Sequence, residues 1–174
     1  MDRKERAIYL RMAKEEAQKC EVVGRGKDSK YFPTRNFEDL QLIVMHSDDL
    51  ELITAFAKLK GADVKALGRA VLASDKDSFG IHNAQFAKIE GADVDAHVKY
   101  VLDKGDVIAI SSMAETQDLV EGMDYSAMLE RVEELGAINI ADALGESAEY
   151  SNMYFSAAVL AIKEKIEMQN ESQS

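Results

Sequence analysis

Apolar residues recur at helical spacing along most of this chain. Between Leu50 and Leu59, the residues Leu52, Ala55, Phe56 and Leu59 fall at i, i+3, i+4 and i+7, one stripe of a helix. A second stripe, Val64, Leu67, Ala70 and Val71, follows at once. Asp48 and Glu51 have the spacing of a capping box at the start of the first helix. Gly61 suits the left-handed residue that closes it, and Asp63 suits the N-cap of the next. The segment reads as two short antiparallel helices joined by a Gly-Ala-Asp turn.

The same arrangement recurs. Residues 56–66 and 86–96 share eight of eleven positions at an offset of 30, including Gly91, Ala92 and Asp93. A second register agrees: Val44, Val71 and Val101 lie in matching apolar runs, 27 and then 30 residues apart. Self-similarity at such a period marks stacked units that bury their apolar faces on one another. Two units, 40–66 and 67–96, are clear, and a decayed third starts at 97. The helix that follows Asp93 carries Val94, Val98, Val101 and Leu102. Polar turns at 74–78 and 103–106 open the next unit. Beyond the repeats, residues 118–135 predict one longer helix with Met128, Leu129, Val132 and Leu135 as its stripe, ended by Gly136. A short helix at 141–144 and a last one at 147–168 follow. Residues 150–162 of the last helix are apolar nearly all round, which implies burial on several sides or a partner. The polar tail, 169–174, is expected to fray.

Residues 1–36 differ. A helix over about 2–21 has a stripe at Tyr9, Met12, Ala13, Ala17 and Cys20. Two β-prone runs between Val22 and Pro33 flank a Gly-, Lys- and Asp-containing turn, as a small hairpin or a long ordered loop. Thr34 or Asn36 caps a helix beginning at Phe37. One proline, Pro33, and a composition rich in Ala, Leu, Glu, Lys and Met place the body in the all-α class. At 174 residues the expectation is one domain in three parts: head 1–36, repeats 37–116 and C-terminal helices 117–174.

Charge sharpens this division. The net of −11 combines a +4 head with a −15 remainder. Attraction of polyanions to the whole surface is thereby excluded, but not to the head. A single cysteine, no membrane-length apolar run and no apolar stretch at the N-terminus point to a cytoplasmic protein.

The unit Phe-Ala-Lys-x-x-Gly-Ala-Asp-Val-x-Ala resembles short HEAT-like α-solenoid repeats over about residues 40–115. Its Gly-Ala-Asp-Val step resembles the end of an ankyrin repeat, without that family's Thr-Pro-Leu-His opening. The resemblance implies a short right-handed stack of antiparallel helix pairs and binding to another macromolecule, most often protein. Similar repeats occur in bacterial and bacteriophage proteins without assigned activity.

Chemistry is sparse. His46, His82 and His97 lack metal spacing, and His46 and His97 read as structural. Cys20 lies on an apolar stripe and reads as core packing. Asp75 to Phe86 begins like an EF-hand loop, but Phe79 and Phe86 occupy positions that calcium needs filled by oxygen. Residues 24–27 do not form a P-loop, and no serine sits in a nucleophile elbow. Pairs such as Asp48-Asp49 and Glu133-Glu134 read as caps or solvated faces. No catalytic, cofactor or metal residue is expected. The candidate contact residues are Arg25, Lys27, Lys30, Tyr31, Phe32 and Arg35, cations interleaved with aromatics that suit phosphates and bases or an acidic partner. The bland alternative is a hairpin packed on the body through Tyr31 and Phe32.

The expected function is a non-enzymatic protein-binding scaffold, with homodimerisation through the last helix open. The alternative is a nucleic-acid-related module, acting through the 25–35 loop or through acidic mimicry of DNA. No membrane partner is expected.

Overall fold

The computed structural model describes residues 1–23, 30–77, 79–144 and 148–172. Among them lie nine helices and one two-stranded antiparallel sheet, so the protein is all-α with a small hairpin. The chain divides into two compact units, Met1–Ser74 with Ile89–Gly91, and Asp75–Lys88 with Ala92–Ser174.

The first unit opens with α1 (Arg3–Ala17). Asp2 caps it by accepting from the Lys4 and Glu5 amides at 2.7 and 2.9 Å, while the Asp2 amide donates to the Glu5 carboxylate. Both halves of a capping box are present. The helix ends four residues before Glu21, so Cys20 lies beyond it, buried, with Sγ 3.6 Å from the Lys60 carbonyl. Ala13 and Ala17 face inward as expected, but Met12 faces solvent. Strands β1 (Glu21–Val23) and β2 (Lys30–Phe32) pair with Glu21 opposite Phe32 and Val23 opposite Lys30. The hairpin is therefore the correct alternative.

Helix α2 (Arg35–His46) begins two residues before Phe37, because Thr34 Oγ1 accepts from the Phe37 amide at 3.2 Å. Phe37 packs its ring 4.9 Å from Phe56 of α3 (Leu50–Ala57), and both are buried. Each such ring contributes about 1.5–3 kcal/mol by leaving water. The cap of α3 is Asp49, not Asp48: Asp49 accepts from the Leu52 amide at 2.9 Å. Asp48 takes a left-handed conformation, φ 52°, and accepts from the Ser74 hydroxyl. Asp is one of the few residues that visit this region readily. Arg6 of α1 reaches the same α3 terminus, binding Asp49 at 3.0 Å and Glu51.

The repeated turn has the same backbone twice. Gly61 has φ 87° and Gly91 φ 84°. Asp63 and Asp93 follow with φ/ψ of −79/86° and −80/84°, capping α4 (Val64–Ala73) and α6 (Val94–Lys104). Each carboxylate accepts from the amide three residues on, at 2.9 and 3.2 Å. The sequence identity thus reports one conserved piece of geometry within the chain: a left-handed stop, then an immediate restart.

The second unit contains α5 (Ile81–Phe86), α6, α7 (Val107–Ala114), α8 (Tyr125–Leu144) and α9 (Ala148–Ser172). Its core joins Val101, Ile110, Met113, Tyr125, Met128, Val132 and Ile162. Residues 118–124 are not helical, contrary to expectation; α8 starts at Tyr125. Gly122 takes φ 86°, and Met123 is buried from an irregular segment. The apolar spacing there therefore reflects loop packing. Gly136 breaks α8 at φ 66°, as its position predicts. The tail expected to fray is helical through Ser172, and 173–174 lie outside the described residues. Gln169 explains this, donating to the Met123 carbonyl at 3.1 Å.

A methyl group at Gly61 would lie 2.8 Å from Cys20 Sγ, whereas at Gly91 the nearest atom is 3.9 Å away. Gly61→Ala is predicted to cost about 1–3 kcal/mol in urea denaturation, more than Gly91→Ala, which carries only the backbone strain. Cys20→Ala in the Gly61→Ala background should remove most of the difference; equal costs for the two glycines would contradict the clash.

Candidate functional site

Of the six residues expected to make contacts, Arg25 and Lys27 lie outside the described residues. Lys30, Tyr31 and Phe32 form β2, and Arg35 is the first residue of α2. Strand alternation puts Lys30 and Phe32 on one face and Tyr31, opposite Val22, on the other. Tyr31 and Phe32 are 46% and 52% exposed, so the hairpin is not packed down through them. Lys60, absent from the sequence-based set, stands over the Tyr31 ring at 5.0 Å. This is a cation–π contact at an exposed site.

Sequence reasoning missed a buried polar network. Asp77 is 3% exposed, and its carboxylate accepts from the His82 and Asn83 amides and from Asn83 Nδ2, at 3.0, 2.8 and 2.7 Å. With Nδ2 so engaged, Asn83 Oδ1 accepts from His97 Nδ1 at 2.7 Å. This assigns the proton to Nδ1 by the network. The Asp77 carbonyl also accepts from Tyr100 Oη at 3.1 Å. His97 is fully buried beside Phe86, ring centroids 4.9 Å apart, and its Nε2 has no hydrogen-bond partner. Burial pulls its pKa down to about 4, outweighing the opposing pull of Asp93 and Asp77. The imidazole is neutral at pH 7. Its arrangement resembles an oriented base, but no surface reaches it, so it holds the fold. The offset of 30 could have exposed it: Asn83 and His97 occupy the places of the buried Ile53 and Leu67 in the preceding unit.

An open groove lies in the second unit. Val107, Ile108, Ser111 and Glu115 of α7 and its end face Tyr154, Ala157, Ala158 and Ala161 of α9 across about 430 Å³. The inner side of α9 packs Ala158 and Ile162 into the core. Its outer side leaves Tyr150, Met153, Tyr154 and Leu160 between 48% and 63% exposed. The sequence offered burial on several sides or a partner for this segment; the first half of that choice is wrong. Lys165 is buried and donates to the carbonyls of Thr116 and Gln117 at 2.5 and 3.2 Å. That clamp fixes the chain just after Glu115 at the groove's end.

No family model, curated protein or solved structure matches the chain. No helix among the described residues is long and apolar enough to cross a membrane.

His97 has its pKa depressed in the fold, from 6.5 to about 4. Its unfolded form therefore binds a proton first, and stability present above pH 6.5 is lost as the pH falls toward 4. The loss from this group is at most about 3 kcal/mol. Denaturation curves at stepped pH should show it, and His97→Leu should flatten that interval; an unchanged slope in the variant would contradict the assignment.

Proposed function

We propose that the protein is a non-enzymatic scaffold that binds another protein. The observation that carries this reading is the outer face of α9, where four large apolar side chains are about half exposed or more on one helix. Isolated exposed apolar residues are ordinary, but a contiguous set beside a groove marks an interaction surface. The repeated helix pairs would then serve as the frame. A short α-solenoid of the HEAT-like kind fits them, and a cytoplasmic setting fits the buried free thiol of Cys20.

The hairpin supports a second reading, contact with nucleic acid. Tyr31 and Phe32 are exposed, with Lys30 and Lys60 beside them. Bases stack on such rings while cations meet phosphate.

Affinity capture from the native host, with and without nuclease, separates the readings. A scaffold should retain its protein partner after nuclease; recovery of nucleic acid alone would sink it. On the second reading, Arg25→Glu with Lys27→Glu should weaken nucleic-acid binding without loss of helicity by circular dichroism.

A further inference from the structure

We infer that the α7–α9 groove receives a basic amphipathic helix from a protein partner. This rests on the scaffold reading and names the site and the chemistry of what fills it.

The shape comes first. Tyr150, Met153, Tyr154, Ala157, Leu160, Glu164 and Met168 recur at three- and four-residue steps, one face of α9. Ser151, Ala158, Ile162 and Lys165 lie on the adjoining, buried side; Tyr154, Ala157 and Ala158 line the groove, and Tyr150, Met153 and Leu160 flank it. From Tyr150 to Leu160 the apolar stretch runs about 15 Å, roughly three helical turns. A helix laid alongside would present anchors at i, i+3, i+4 and i+7.

Charge selects the occupant. The second unit carries seven Lys/Arg against nineteen Asp/Glu, a net of −12. Glu115 lines the groove, Glu164 continues the α9 stripe, and Asp118 and Glu121 follow on the exposed segment after α7. Among the described residues none of these four has an ion-pair partner. Of the two lysines of α9, Lys165 points inward to backbone carbonyls and the exposed Lys163 lies off the apolar stripe. A second copy docked through this same face would set Glu115 and Glu164 against like charges, and nucleic acid or an anionic bilayer would be repelled. A helix with an apolar stripe flanked by Lys or Arg satisfies both the groove and its rim.

The test uses the whole chain and fluorescent helical peptides of equal length. One has a Leu stripe with Lys elsewhere, one the same stripe with Glu, and one the same Lys with Gln in place of Leu. The Lys/Leu peptide should bind about tenfold or more tighter than either other peptide, and added salt should weaken it. Leu160→Lys and Tyr154→Lys should each weaken it about tenfold or more with helicity unchanged, because both side chains are exposed. Glu130→Lys, the double charge change at an exposed site on α8 outside the groove, should change it less than about twofold.

Equal binding of the Glu/Leu peptide would overturn the inference, as would an equal loss in Glu130→Lys, which would mean diffuse attraction. Sedimentation showing a dimer that Leu160→Lys abolishes would make a second copy the occupant and overturn it too. A nuclease-resistant native partner indifferent to Tyr154→Lys, which lines the groove, would overturn the groove and leave the scaffold standing. Capture of no protein partner would sink the scaffold reading itself.

Discussion

Helices of six to eleven residues do not hold themselves in water. Fixing the first turn costs more than one hydrogen bond returns, so lengths below about twelve residues are marginal even for favourable sequences. Here α3, α4, α5, α6 and α7 all fall in that range. Each persists because its ends are capped and its inward face is covered. Asp49, Asp63, Asp93 and Asp106 satisfy amides at four helix starts. Phe56 and Phe86, thirty residues apart, bury completely at the ends of α3 and α5. Capping without burial would leave frayed turns, and burial without capping would strand backbone amides away from water.

The second unit uses its few cations in the same cause. Lys88 donates to the Ser112 carbonyl, Arg131 to that of Leu102, and Lys165 to those of Thr116 and Gln117. All four carbonyls lie at or just beyond helix C-termini, where positive charge is favoured by the helix dipole. Positive charge is drawn onto the backbone, while apart from the buried Asp77 and Asp106 the described carboxylates of this unit stay outside. The acidity of this unit's surface is thus a product of how its helices end, as well as of its composition.

The repeated turn was legible because its chemistry is local. A glycine with positive φ followed by a capping aspartate needs no distant partner, and it appears twice unchanged. Asp48 and Asp49 misled by one residue because adjacent aspartates offer two caps at nearly the right spacing, and the left-handed backbone of Asp48 and its Ser74 contact separate their roles. The start of α8 misled because Leu119, Val120 and Met123 imitate a helical stripe while packing from irregular backbone. The hairpin was readable as an alternative only, since a loop with the same residues satisfies the same composition. On α9 the apolar character was evident, but which side meets the core depends on helices distant in sequence. The groove therefore could not be placed beforehand.

Two segments built around the same eleven-residue turn could trade places while the chain is folding. The buried pair Asn83 and His97 makes that exchange unprofitable. If 81–98 took the position of 51–68, an amide and an imidazole would enter a site shaped for Ile53 and Leu67, away from the Asp77 carboxylate that orients them. Conversely, Ile53 and Leu67 could not answer Asp77. A polar pair within a duplicated pattern thus gives each copy its own address, and a chain built by repetition keeps a single order of assembly.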